Sequence, residues 1–295
     1  VVRAGMKNLL TFKGSKIDRR KFLKIIGTGI VGFGSTSLFG PGKLMAANKE
    51  FTGVLVDTTR CIGCRSCEVA CAEANNLPVP DMEDKNIFDK RRRESTTQWT
   101  VVNRYRTGKG DVYVKTQCMH CSQPACVAAC LVNAMKKNEE GPVTLDQNCI
   151  GCRFCMFSCP FNIPKFEYGS PAPKIEKCNL CWERLKGGKI PACVEACPQE
   201  TLLFGTKRDL YEEGQTRIYK HPSEYVHHIY GQYEVGGTCW IYLSKVPFEQ
   251  IGFRTDLGTK AMPEFTMGFL YTVPFVDIIL PLFLLGISRA IRKED

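Results

Sequence analysis

Sixteen of the seventeen cysteines in this 295-residue chain fall into four groups of four, and no other feature restricts the fold so severely. "CIGCRSCEVAC" holds Cys61, Cys64, Cys67 and Cys71, and "CMHCSQPACVAAC" holds Cys118, Cys121, Cys126 and Cys130. "CIGCRFCMFSCP" holds Cys149, Cys152, Cys155 and Cys159, and "CNLCWERLKGGKIPACVEACP" holds Cys178, Cys181, Cys193 and Cys197. The first and third groups have the spacing C-x2-C-x2-C-x3-C of bacterial ferredoxin runs. The second stretches one gap to four residues and the fourth stretches it to eleven. Thiolates at i, i+3 and i+6 wrap three corners of one iron–sulfur cube, with backbone N–H groups between them aimed at the sulfurs. The fourth Cys, on the first turn of the following helix, points away and ligates a neighbouring cluster. Runs therefore work in pairs. Four runs supply thiolates for four [4Fe–4S] clusters, which leaves Cys239 over.

Other uses of cysteine fit the pattern poorly. Disulfide frameworks do not pack four Cys into about eleven residues four times over. Zinc takes two C-x2-C pairs across a loop, not an overlapping triple. A three-iron variant at one site is the alternative that the spacing leaves open.

Charge and hydropathy place the chain in the cell. Charged residues are 24% and apolar residues 44% of the sequence, a globular balance. The net charge of +10 belongs mostly to residues 1–47, which hold nine Lys/Arg and one acid. It therefore marks no nucleic-acid surface. In "SKIDRRKFLKIIGTGIVGFG", Arg19 and Arg20 precede an apolar run, and Ala46 and Ala47 follow it, which reads as a twin-arginine export signal over 1–47. A retained N-terminal anchor is the alternative. "GTGIVG" within it follows a basic segment rather than a strand, so it is no dinucleotide fingerprint. Clusters are assembled in the reducing cytoplasm inside a closing fold, so a route for folded proteins suits this cargo. At the other end, Thr266–Ser288 is apolar enough to span a membrane and is followed by Arg289, Arg292 and Lys293. The positive-inside tendency puts that end in the cytoplasm and the cysteine-rich part outside. Pro274, Asp277 and Pro281 suit a helix packed beside a partner; Asp277 reads as a solvated residue near the outer interface or one paired with a partner, with a proton or quinone path as the sharper alternative.

Between these ends, "FTGVLVD" and "DVYVKTQ" read as strands entering cysteine loops, and "RSCEVACAEAN" reads as a short helix. Residues 73–98 read as a solvated polar insertion, with a docking surface as the sharper alternative. His120 reads as a hydrogen-bond donor near a cluster. His221, His227 and His228 invite haem, but no C-x2-C-H attachment accompanies them. Cys239, in "GGTCWIYL", reads as a buried free thiol.

These motifs, with "YVKTQCMHC", "CRFCMFSCPFNIPKFEY", "PACVEACP" and "VHHIYGQYEVGGTCWIYLSKVPFEQIGF", resemble the four-cluster electron-transfer subunits of membrane-bound hydrogenases, formate dehydrogenases and other molybdopterin enzymes. The resemblance is greatest to the HybA-type subunits of quinone-linked nickel–iron hydrogenases, and it covers essentially the whole chain. It implies an α+β fold of two nested ferredoxin-like two-cluster modules: 48–205, with the inner module inserted at about 100–170. An extension for partner contact over 206–262 and a transmembrane helix over 263–290 follow. It implies one cluster on Cys61, Cys64, Cys67 and Cys197 and a second on Cys71, Cys178, Cys181 and Cys193. A third falls on Cys118, Cys121, Cys126 and Cys159, and a fourth on Cys130, Cys149, Cys152 and Cys155. Ala72 and Leu131 depart from the proline that follows the last Cys in the other runs, at Pro160 and Pro198. The implied partners are the small and large hydrogenase subunits, or another catalytic subunit, and an integral membrane quinone-reactive subunit. The implied place is the periplasmic face of the cytoplasmic membrane. The same role beside a formate dehydrogenase, another molybdopterin enzyme or a multihaem cytochrome is the nearest alternative. A free polyferredoxin carrier is the alternative of another class. The chain shows no catalytic constellation of its own.

Overall fold

The computed structural model describes residues 50–291 apart from 85 and 172. The export signal expected over 1–47 lies outside the described residues.

Strand β1 (Thr52–Asp57) is buried from Gly53 onward because it is the central strand of three. Strand β8 (Leu202–Thr206) pairs antiparallel on one side, with Val54 opposite Phe204. Strand β9 (Trp240–Leu243) pairs parallel on the other, with Val54 opposite Trp240. A strand covered on both faces reads as a continuous apolar run, which is why "TGVLVD" does not alternate. One face packs Val54, Val56, Trp240, Tyr242, Tyr230 and Phe248 against Val112, Val114 and Cys193. The other packs Leu55, Ile241 and Leu243 against Leu210 of helix α6 (Lys207–Lys220). Thr206 caps α6, its Oγ1 accepting the Asp209 N–H at 3.3 Å. The stretch 206–262, expected as an extension, thus supplies α6 and β9 to the central layer. The fully buried strand "WIYL" leaves it no freedom to stand apart.

The remaining strands form small hairpins. Strands β2 (Val101–Thr107) and β3 (Gly110–Thr116) pair with Val101 opposite Thr116. Strands β4 (Met135–Lys137) and β5 (Val143–Leu145) form a second hairpin, and β6 (Lys165–Phe166) and β7 (Ile175–Glu176) a third. Met135, Val143 and Ile175 from these two build a separate apolar core with Cys126 and Cys155.

The polar insertion is strapped down rather than wholly solvated. Glu68, on helix α1 (Ser66–Ala74), is buried and accepts from Arg92 Nη2 at 2.5 Å, Arg65 Nε at 3.1 Å and the Val102 N–H at 2.6 Å. Arg91 lies over the Tyr105 ring and donates to the Gly252 carbonyl at 3.0 Å. A buried carboxylate needs such partners, and "DKRRRES" provides one of them.

The last helix, α7 (Glu264–Ile291), runs unbroken through Pro274 and Pro281. Its 28 residues span about 42 Å at ~1.5 Å each. By length and composition, Glu264–Arg289 is able to cross a membrane.

Candidate functional site

The four cysteine runs fold into one repeated local shape. The residue before the second Cys is left-handed each time: Gly63 at φ 73°, His120 at 47°, Gly151 at 68° and Leu180 at 56°. Glycine takes this conformation without penalty, whereas His120 and Leu180 are held in it by their surroundings. Turns of this kind point successive backbone N–H groups into one concavity that suits anions and iron–sulfur groups. The third Cys of each run is the second residue of a short helix. Cys67 lies on α1, Cys126 on α2 (Ala125–Ala128), Cys155 on α3 (Phe154–Ser158) and Cys193 on α5 (Ala192–Glu195). The fourth Cys follows four residues later in every run. The extra residues of the fourth run are taken up by helix α4 (Trp182–Lys186) and the turn after it.

The thiols come together as four sets. Burial pushes Cys61 up to about 11, and Cys197 and Cys64 add to the rise against a backbone hydrogen bond at Gly63. Cys67, also raised by burial, feels Cys61. One cavity is lined by Cys61, Cys64, Cys67 and Cys197. Burial pushes Cys71 up to about 12, with Cys193 and Cys181 adding to it, and Cys178, raised by burial, feels Cys71 and Cys181. Cys121, raised by burial, feels Cys118, Cys159 and Cys126. Burial pushes Cys155 up to about 11, with Cys149, Cys152 and Cys130 adding to it. Neighbours also cross these groups: Cys67 feels Cys193 ahead of Cys61, and Cys178 feels Cys118 ahead of Cys181.

Thiols of different runs thus neighbour one another across these groups, as Cys67 does Cys193. Cys178 feels Cys118 and packs with it against Ile163 and Trp99. Cys126 feels Cys155 and shares its apolar core. Cys64 and Cys152, in the two terminal sets, are exposed.

Iron–sulfur clusters fit these surroundings on three counts. Thiols held above 9 stay protonated at neutral pH unless a metal takes the proton's place. Among the described residues, no three His, Cys, Asp or Glu side chains close tightly enough on a point to hold a single ion. The sulfurs of the first set instead ring a cavity, as a multi-iron group needs. Finally, seven buried side-chain polar atoms have no partner among the described residues, and Arg65 Nη2, Trp99 Nε1, His120 Nε2 and Trp240 Nε1 are four of them. Arg65 lines the cavity of the first set. Trp99 packs with Cys118, Cys159 and Cys178, and Trp240 packs with Cys67, Cys193 and Cys197. His120 Nδ1 accepts the Val143 N–H at 2.8 Å, which leaves the ring proton on Nε2. Burial, then Lys177, Lys137 and Lys115, holds this imidazole well below its ordinary range, so it is neutral. Unpaired donors of this kind suit sulfide and thiolate acceptors. Other sulfurs are already served. Cys130 Sγ accepts from the Ala134 N–H at 3.2 Å, and Cys178 Sγ accepts from the Leu180 N–H at 3.4 Å.

Lys115 is the charged group that sequence reasoning missed. Period-two alternation along β3 places it on the face opposite Val112 and Val114, ordinarily the solvent side. Here both faces are covered and it is 3% exposed. Burial opposes its charge, but Cys193, Cys67, Cys178 and Cys71 outweigh that and hold its pKa above the ordinary range.

Outside the sets, Cys239 is buried, its Sγ 3.5 Å from Lys137 Nζ and 3.6 Å from the Gly141 carbonyl. The three later histidines do not converge. His227 Nε2 meets the Pro222 carbonyl at 3.1 Å, His228 Nε2 meets Glu234 at 2.6 Å, and His221 faces Glu224 at 3.8 Å.

Residues 111–207 match the 4Fe–4S dicluster domain family. A protein of Nitratidesulfovibrio vulgaris is 45% identical over 289 residues, covering 95% of this chain and 78% of its own length. The hydrogenase-2 operon protein HybA of Escherichia coli O157:H7 is 33% identical over 321 residues, covering 94% of this chain and 96% of its own. The iron–sulfur subunit of the nitrate-inducible formate dehydrogenase of Escherichia coli is 34% identical over 217 residues, covering 71% and 73%. Matched almost end to end by HybA, the chain belongs to the HybA-type family of iron–sulfur electron-transfer subunits, related to the iron–sulfur subunits of formate dehydrogenases.

Proposed function

We propose that this chain is the electron conduit between an exported catalytic subunit and a membrane quinone-reactive subunit. The observation that supports the reading is the succession of thiol neighbours, Cys67 with Cys193, Cys178 with Cys118 and Cys126 with Cys155, which would link the four sets proposed below in order, with Cys64 and Cys152 exposed in the first and last. Cys61, Cys64, Cys67 and Cys197 hold one [4Fe–4S] cluster, and Cys71, Cys178, Cys181 and Cys193 hold the next. Cys118, Cys121, Cys126 and Cys159 hold the third, and Cys130, Cys149, Cys152 and Cys155 the fourth. The module of the middle two runs is thus nested within that of the outer two. When bound, the clusters supply one-electron carriage. The chain's own residues orient them through left-handed loops, offer N–H donors to their sulfurs and keep water from the two central sets.

The catalytic partner in this reading is a nickel–iron hydrogenase with its small and large subunits. The match to HybA supports it, since that match runs nearly end to end in both chains, whereas the formate dehydrogenase subunit covers 71% of this one. The twin arginines and the basic residues after α7 support a place on the periplasmic face, with α7 crossing to a cytoplasmic C-terminus. The test is purification of the membrane complex from its native host. About sixteen iron and sixteen acid-labile sulfide per chain are expected. Hydrogen should bleach the cluster absorbance, whereas formate should not. About eight iron would overturn the four-cluster count, and bleaching by formate alone would replace the hydrogenase with a molybdopterin enzyme.

A further inference from the structure

We propose that Lys115 is a positioning residue for redox potential: a buried, fixed positive charge, shared by the first two clusters, that raises the potentials of those two. This rests on the cluster assignment above and adds to it a group that no cysteine pattern contains.

A lysine in a protein interior is expensive unless an anion answers it. Lys115 Nζ donates to Gln117 Oε1 at 2.8 Å and lies 4.3 Å from the centroid of the Trp240 ring. Both contacts are neutral. Among the described residues, no carboxylate pairs with it. Two buried carboxylates are answered locally, Glu68 by two arginines and Asp57 by Arg217 at 2.9 Å, whereas Lys177, also buried, donates to the Val143 and Cys178 carbonyls and is felt by Cys126. The charges that face Lys115 come from Cys67, Cys71, Cys178 and Cys193, and it also lines the cavity of Cys61, Cys64, Cys67 and Cys197. Its counterion is therefore the pair of anionic clusters that these thiolates hold.

The ammonium is held where it is. Gln117 Nε2 donates to Tyr242 Oη at 2.7 Å, and Tyr242 Oη donates back to the Lys115 carbonyl at 3.1 Å. Gln117, Tyr242 and Trp240 are each at most 1% exposed. This closed ring ties the end of β3 to β9. A fixed cation in a low-dielectric interior favours whichever cluster state carries more negative charge, which is the reduced one.

The test is an EPR-monitored redox titration of the intact complex with Lys115→Met and Lys115→Arg, with iron counted in every sample. Lys115→Met should move two of the four reduction steps to lower potential, each by roughly tenfold or more in the reduced-to-oxidised ratio at fixed poise, about 59 mV per tenfold for one electron. The other two steps should stay, and Lys115→Arg should keep all four near the parent values. Four unmoved steps in a fully loaded Lys115→Met complex would overturn the inference, as would equal movement of all four. If Lys115→Met does not hold its iron, Lys115→Gln is compared with Lys115→Arg. Iron kept by Arg and lost by Gln assigns the countercharge; the same iron and potentials in both overturn it. A parent complex without about sixteen iron would sink the cluster assignment instead, so the two failures are separable.

Discussion

Two buried cysteines with opposite expected fates show how environment decides ligand from filler. Cys155 feels three other thiols of one set, whereas Cys239 meets a carbonyl and an ammonium. Cys239→Ser keeps a group able to donate to the Gly141 carbonyl, so its iron content should equal the parent's. Cys155→Ser should lose or convert one cluster, at most about four iron of about sixteen. Iron and sulfide assays on the two purified variants check this, and equal losses would show that the seventeenth cysteine is a ligand. The sixteen others stand out in the sequence because the spacing expected of a cluster run is local. Lys115, Trp99 and Trp240 do not: Lys115 stands only three residues before Cys118, but alternation along β3 assigns it to the solvent side, and Trp99 and Trp240 lie outside the four runs. Their roles come from the packing of β3 and β9 over runs distant in sequence.

At the scale of elements, the stretched runs turn out to be regular. "PAC" closes the gap in both: Pro124 and Pro191 directly precede α2 and α5, and each helix carries its Cys one place in. Proline suits the first positions of a helix, where its missing N–H costs nothing. The equivalence was therefore readable from sequence as a helix start, not from cysteine spacing. What was not readable was the partner of β1, since a parallel neighbour such as β9 leaves no hairpin signal. Helix α7 was legible from apolar length alone. Its removal from Glu264 onward spares Ala261, which is 1% exposed and lies under Gly236. The shortened chain should keep its clusters and their absorbance but leave the membrane fraction, because some twenty apolar residues are lost from lipid. Retention in washed membranes would mean that partner contacts, rather than α7, hold the chain there.

At the scale of the molecule, the order of the sets makes the row testable as a row. The cross-set neighbours are Cys67 with Cys193, Cys178 with Cys118, and Cys126 with Cys155, so the third set stands between the second and the fourth. Cys121 belongs to that third set, is held by burial among Cys118, Cys159 and Cys126, and reaches neither exposed end. Cys121→Ser should therefore remove about four iron and leave both terminal sets intact. With the donor substrate, the clusters on the donor side of the gap should still be reduced in freeze-quenched EPR spectra. Those beyond it should stay oxidised over many turnovers, and quinone-linked activity should fall by several orders of magnitude. Activity with an artificial dye that accepts electrons on the donor side should persist. In the proposed order, with exposed Cys64 and Cys152 in the first and last sets, the set that remains reducible also reports which of them faces the catalytic subunit. Full quinone-linked activity in a variant shown to lack those four iron would mean that electrons bypass the third set, and the arrangement would then be a branched store rather than a wire.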